Sequence, residues 1–174
     1  MEVKNIEFKA KVENLDRLIA IAELSNIKLE GSYKQVDTYY DVPKGRVKLR
    51  EYGNFSSLIY YNRENTKAVK QSDVIYYQHA PNQALSAILE LQFGVKVRVS
   101  KVRKIYKVDN VSIHFDQVDG LGCFVEVEAC SEENNKTVED LQKQCDYFFN
   151  LFKLTQADLI EQSYSDLVLS LQLQ

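Results

Sequence analysis

Between Val111 and Glu128, apolar and polar residues alternate on both sides of a glycine-bounded turn, and few folds accept that pattern. Side chains two apart on a strand share a face. Glu126 and Glu128 therefore sit side by side, alternating with Val125 and Val127. On the preceding run, Asp116 shares a face with Ser112 and His114. A turn at Asp119-Gly120 folds the two runs into a hairpin on which three acids converge. Oxygen ligands gathered in this way suit a hard divalent cation. A solvated sheet face carrying the same acids is the other reading open at this point.

The rest of the chain repeats the pattern. Residues 2–12 set Ile6, Phe8, Ala10 and Val12 against Glu7, Lys9 and Lys11. Asn14 caps a helix to about Ser25. Strands are expected over 28–41, 46–52, 56–63 and 72–79, with turns at Pro43-Lys44-Gly45 and Gly53-Asn54 and a polar loop over 64–71. Tyr33, Gln35, Asp37, Tyr39 and Asp41 share one face of the first of these. Pro81 opens a helix through Phe93. Residues 95–107 read as a basic strand whose parity slips near Ser100, which predicts a bulge there. Helices over 136–152 and 156–171 complete the chain.

Amphipathic helices must cover some face of the sheet, and only the apolar faces suit them. The charged faces, with Glu7/Lys9, Lys48/Arg50, Lys101/Arg103 and Glu126/Glu128, then either meet solvent in an open sheet or line a closed barrel. Basic residues on one wall and acids on the other would suit a polyphosphate held with a metal.

Composition narrows the class. The chain has 174 residues, enough for a single domain over 1–174, and no linker or repeat stands out. Its net charge of −3 and lack of an RNA-binding motif argue against nucleic acid, despite the basic run 96–107. No apolar run reaches membrane-spanning length, and the N-terminus is charged from Glu2 onward, so no membrane partner is expected. Three cysteines without metal-ligand spacing fit core thiols in a reducing, cytoplasmic setting. His114 is expected to hydrogen-bond a neighbour.

Five segments carry a resemblance. Asn5-Ile6-Glu7-Phe8-Lys9, Gln35-Val36-Asp37-Thr38-Tyr39-Tyr40-Asp41, Val47-Lys48-Leu49-Arg50, Lys101-Val102-Arg103 and Asp116…Gly120-Leu121-Gly122-x-Phe124-x-Glu126-x-Glu128 resemble, in order and spacing, the CYTH family. That family comprises class IV adenylyl cyclases and thiamine triphosphatases, the triphosphate tunnel metalloenzymes. Gln162-Ser163-Tyr164-Ser165-Asp166-Leu167 looks most like the cyclase-like branch.

The resemblance implies an α+β fold: an eight-stranded antiparallel closed β-barrel with a charged interior and helices packed outside. It implies Mg²⁺ or Mn²⁺ held by Glu7, Glu126 and Glu128, with Asp116 in or beside the metal site. Lys9, Lys48, Arg50, Arg63, Lys101 and Arg103 would bind phosphates. Lys9, Tyr39 and Asp116 are the catalytic candidates; in the triphosphatase branch a tyrosine of the Tyr39 motif helps activate water, and wall packing is the other reading for it. The implied ligand is a triphosphate-containing small molecule, with ATP first. The activity would be cyclisation to cyclic AMP and pyrophosphate. The alternatives are hydrolysis of inorganic or thiamine triphosphate, or binding without turnover. A homodimer is an open expectation. The chain departs from the family pattern at Asn5, where a Glu belongs, and at Asn62 and Gln71, where basic residues are common.

Overall fold

The computed structural model describes residues 5–63, 72–131 and 136–172. Eight strands form one antiparallel sheet: β1 (Asn5–Val12), β2 (Lys28–Tyr40), β3 (Arg46–Tyr52), β4 (Phe55–Arg63), β5 (Ser72–His79), β6 (Val95–Val108), β7 (Val111–Val118) and β8 (Gly122–Cys130). Their order across the sheet is β1-β8-β7-β6-β2-β3-β4-β5. Helices α1 (Leu15–Leu24), α2 (Gln83–Phe93), α3 (Val138–Leu151) and α4 (Tyr164–Gln172) accompany it, with a single 3₁₀ turn at Gln156–Asp158. The expected loop 64–71, including Gln71, lies outside the described residues, as do the side chains of Asn62 and Arg63.

Apolar alternation decides which face the helices cover. Val111, Ile113, Phe115, Val125, Val127, Ala129 and Ala10 form one buried surface with Leu18 and Ala22 of α1 and Leu141, Cys145 and Phe148 of α3. The ring of Phe115 is fully buried edge-on to Tyr106 at 5.4 Å and to Phe152 at 5.8 Å. Helix α2 covers the same side farther along, where Leu89 meets Tyr40 and Leu49. Helix starts follow local chemistry. The Asn14 side chain accepts from Asp16 N, as expected. The α2 cap is Asn82 rather than Pro81: its Oδ1 accepts from Ala84 N and Leu85 N.

The opposite face is concave. The turn Ser163–Asp166 touches Lys9 of β1, Lys101 of β6, Asp116 of β7 and Arg46 of β3, which a flat sheet would not allow. Three expectations change here. The predicted C-terminal helix breaks, and α4 begins only at Tyr164. Instead of packing outside, α4 closes one end of the concave face, joining Val97, Val99, Val118, Phe124 and Tyr39 in an apolar cluster. The sheet is also not closed by hydrogen bonds: among the described residues β1 and β5 share no ladder. The outer edge of β1 is taken up instead by the C-terminal segment, with Ile160 N donating to Lys9 O at 2.9 Å and Leu159 bridging Ala10.

The bulge predicted at Ser100 is absent, and Ser100 pairs regularly with Val36. Val97, Val99, Lys101 and Arg103 all face inward. What changes at Ser100 is the chemistry of the interior, from the apolar end under α4 to the charged centre. The register shifts fall at the ends of the β2–β6 ladder, between Leu29 and Gly31 and between Tyr39 and Tyr40.

Phe115→Ala is expected to cost about 3–5 kcal/mol of stability, the range for emptying a buried aromatic site. The measurement is the urea midpoint at unchanged slope. No loss would mean that the helices on this face collapse onto the vacated space.

Candidate functional site

Two carboxylates organise the concave centre. Asp37 on β2 lies directly across from Arg50 on β3. Arg50 grips it through both arms, Nε to Oδ1 at 2.8 Å and an Nη to Oδ2 at 2.7 Å, and Lys48 adds a third contact at 3.1 Å. Asp116 on β7 lies directly across from Arg103 on β6. The same fork recurs at 2.7 and 2.6 Å, and Lys101 approaches to 3.5 Å. Planar guanidinium and carboxylate groups on facing rungs make these bidentate pairs without bending the backbone. Asp116 is fully buried, and Lys101 and Arg103 are nearly so.

Four cations thus share two carboxylates. Arg103 also reaches Glu126 Oε2 at 3.0 Å, which still leaves four cations to three carboxylates. Burial first, and the neighbouring cations after it, show in the acid–base behaviour. Burial, with the neighbouring Arg50 and Arg103, pushes the Lys48 ammonium down to about 8 against the pull of Asp37. Burial and Arg103 take Lys101 down to about 7 against the pull of Asp116. Burial opposes ionisation of Asp37 and Asp116 as well, yet their cationic partners outweigh it and hold both below the usual carboxylate range.

The linkage signs follow. The two aspartates contribute stability above their unfolded value of about 4, and this is lost as pH falls through their depressed folded values. The two lysines cost stability, most fully below pH 7, and the cost disappears as pH rises toward their ordinary value of about 10.4.

The acids of the hairpin lie on the other wall. Glu126 on β8 faces Lys9 of β1 on one side and His114 of β7 on the other. Burial works against its charge, but His114, Arg103 and Lys9 hold its carboxyl well below the usual range. His114 Nδ1 lies 3.9 Å from Glu126 Oε2 and is buried with no closer partner, so Glu126 is the neighbour this imidazole acts on. Glu128 faces Glu7 directly across the β1–β8 ladder. Asn5 Nδ2 donates to Glu128 Oε1 at 2.6 Å, and Asn5 Oδ1 is buried without a partner. Two opposed carboxylates beside an orphaned amide oxygen form a hard-oxygen donor set that fits a divalent cation. Among the described residues, however, no three acid, imidazole or thiol groups are gathered as a ready-made metal site.

The remaining expected residues fall as follows. Asp116 is gripped by Arg103 and Lys101 with Phe124 directly across from it, and it lies diagonal to Glu126, which the same Arg103 nitrogen reaches at 3.0 Å. Tyr39 is buried in the apolar cluster, its ring 5.4 Å from Lys48 Nζ and its hydroxyl 3.5 Å from the same atom. Burial, then Tyr61 and Asp37, raise that hydroxyl well above its ordinary value, so it can donate a hydrogen bond but is a poor base. Lys9 Nζ sits 4.5 Å over the Tyr164 ring and donates to Gln162 O at 3.3 Å. Arg63 pairs with Ser72 along the backbone, and its side chain lies outside the described residues.

Alternation alone does not reveal Asp37 as an anchor or Tyr164 as an interior group. The Tyr164 ring also lies 4.9 Å from Lys101 Nζ, and its hydroxyl donates to Asp116 Oδ2 at 2.8 Å. The signal for Asp37 was its shared face with Tyr39; nothing local marked Tyr164.

Asp116→Asn is expected to cost about 3–5 kcal/mol, because Arg103 stays charged and buried without its counter-ion. Urea unfolding at pH 7 checks this. A change near zero would show that Glu126 alone can hold Arg103.

The CYTH domain model matches residues 3–164. A Methanocaldococcus jannaschii protein named "Putative adenylate cyclase" is 23% identical over 171 residues, spanning 93% of this chain and 97% of that one. Among solved structures, a Pyrococcus horikoshii protein superposes with a TM-score of 0.79 at 23% identity, covering 94% of this chain and 98% of that one. A "putative adenylate cyclase" from Vibrio parahaemolyticus gives 0.70 at 19% identity over 95% and 97%. A "putative adenylyl cyclase" from Hippeastrum, described as having a dominant triphosphatase activity, gives 0.68 at 14% identity over 98% and 96%. These likenesses show a shared fold, and the family match spans nearly the whole chain. The chain belongs to the CYTH domain family.

Proposed function

We propose that the concave face binds a triphosphate and acts on it as a cyclase-like enzyme, converting ATP to cyclic AMP and pyrophosphate. The observation that carries the reading is the buried surplus of positive charge. Lys48, Arg50, Lys101 and Arg103 meet too few carboxylates to neutralise them, and burial has already forced two lysines toward neutrality. A polyanion supplies the missing charge. The names of the Methanocaldococcus and Vibrio relatives favour the cyclase reaction.

In this reading Asp37 and Asp116 are positioning residues. They hold Arg50 and Arg103 in fixed orientation, so the guanidinium groups meet phosphate oxygens without reorganising. Lys48, Lys101 and Lys9 complete the set as point charges. Glu7, Glu128 and Asn5 Oδ1, with Glu126 beside them, would hold Mg²⁺ or Mn²⁺. Such an ion, when bound, would neutralise charge on the phosphates and on the departing oxygen. No side chain need act as a nucleophile. Tyr39, on the wall, accepts from Lys48 Nζ through its hydroxyl. Tyr164 and the rest of α4 keep water out of one end.

A second reading is hydrolysis of the terminal phosphate, supported by the activity described for the Hippeastrum protein. A third is binding without turnover, favoured by neutral Asn5 and by the lack of a gathered ligand set among the described residues.

Product analysis separates the three. Purified protein is incubated with ATP, inorganic triphosphate or thiamine triphosphate, each with Mg²⁺ and with Mn²⁺, and with Glu126→Gln as control. Cyclic AMP and pyrophosphate, lost in the control, are the expected products. Orthophosphate would move the assignment to a triphosphatase. Thermal stabilisation without turnover would make the chain a binding protein. Neither turnover nor stabilisation would end the triphosphate reading.

The lysines give an independent check. An anion restores their protons, so calorimetry at pH 8 in buffers of different ionisation enthalpy should show uptake of about one proton or more per ligand. Uptake should shrink in Lys101→Met, and affinity should fall as pH rises through 7 to 8 and the free lysines lose charge.

A further inference from the structure

Away from α4, the concave face ends in an aromatic mouth. Tyr33 on β2, Tyr52 on β3, Phe55 on β4 and Tyr76 on β5 all lie on the inward side at this end. The Tyr33 and Tyr52 rings meet edge to face at 6.0 Å, and Tyr52 lies 6.1 Å from Phe55. Their hydroxyls are tied together: Tyr52 Oη to Tyr76 Oη at 3.5 Å, Ser57 Oγ to Tyr76 Oη at 2.7 Å, and Gln78 Nε2 to Tyr52 Oη at 3.4 Å. Tyr33 lies flat across Gly31, where an added Cβ would overlap its ring. Among the described residues no helix covers these rings, and Phe55 and Tyr76 are each 53% exposed.

The mouth adjoins the cations. Tyr33 is across from Arg103, and Tyr52 follows Arg50 on the same face of β3. Between mouth and cations lies Gln35, paired with Tyr52 on one side and Lys101 on the other. Gln35 is 4% exposed, and its Oε1 is buried with no hydrogen-bond donor. A buried acceptor without a donor costs free energy that a ligand can recover.

We propose that this mouth is the subsite for the organic group of the substrate. The chemistry it fits is a triphosphate ester bearing a planar heteroaromatic ring and a hydroxyl or amino donor. The ring stacks on the exposed rings of Phe55 and Tyr76, with Tyr52 packed behind Phe55. The donor reaches Gln35 Oε1 while the phosphates lie on the neighbouring cations. Inorganic triphosphate satisfies only the second half of the site, so the chain prefers the ester. A nucleoside triphosphate and thiamine triphosphate both carry this chemistry. The inference rests on the triphosphate reading of the centre.

Calorimetric binding of ATP, thiamine triphosphate and inorganic triphosphate, with Mg²⁺, to the full chain tests it. Phe55→Ala and Tyr76→Ala alter half-exposed rings outside the charged centre, and Gln35→Met removes the acceptor at similar volume. Each ring variant is expected to weaken one of the two esters roughly ten- to a hundredfold, the range for losing a stacked ring, while inorganic triphosphate binding stays unchanged. The ester that is weakened identifies the source of the ring. Gln35→Met should weaken the same ester and leave inorganic triphosphate alone. Equal losses for all three ligands, or no loss for either ester, overturns the aromatic subsite while leaving the triphosphate centre standing. If the unaltered chain binds none of the three, the triphosphate reading itself has failed.

Discussion

The concave face depends on two aspartates that each hold an arginine across one rung of the sheet. Buried ion pairs contribute little net stability, because desolvation offsets the attraction. Their consequence here is geometric. Asp37 and Asp116 fix the forks of Arg50 and Arg103, and those forks set where Lys48 and Lys101 can go. The ladder supplies the alignment, since both pairs sit directly opposite in register. A slip of one residue in either pairing would turn an aspartate to the helix-covered face and its arginine into an uncompensated charge. The site therefore constrains the fold as tightly as the fold constrains the site.

Around that centre the face is graded. Valines, Tyr39 and Tyr164 close one end, the cations occupy the middle, and open aromatic rings form the other end. Acids run down the β1–β8 wall. The zones differ in what can cover them, and α4 covers the apolar end. This explains why α4 leaves the outer layer: its apolar residues cover the one inward patch that water and ions would not.

Much of this was legible in the sequence. Period-two alternation located all eight strands and sorted Glu7, Lys9, Lys48, Arg50, Lys101, Arg103, Glu126 and Glu128 onto one face. Alternation does not give height along the strand. Asp116 is the example: the register puts Phe124 directly across from it and Glu126 one inward position farther along, so these two acids meet through Arg103 rather than side by side. The apparent slip at Ser100 has the same origin: the inward face changes from valine to lysine while the parity holds. Gln35, Asp37 and Tyr164 matter through partners on other strands or on the C-terminal segment, and no local spacing encodes those. Helix α4 was misplaced because its apolar stripe shows what it must cover, not which side of the sheet offers it.

Asn5 shows how one substitution resets the balance of such a site. Glu7 and Glu128 already face each other, and a carboxylate at position 5 would bring a third negative charge against Glu128. The amide instead donates to Glu128 and leaves an oxygen free. The acid wall therefore holds together with less demand for a cation than three carboxylates would impose. The basic centre is relieved in another way: burial lowers the ammonium groups of Lys48 and Lys101, while Asp37 and Asp116 hold the two arginines charged. One wall is thus balanced by an amide in place of a carboxylate, and the other by lysines that give up their protons more readily.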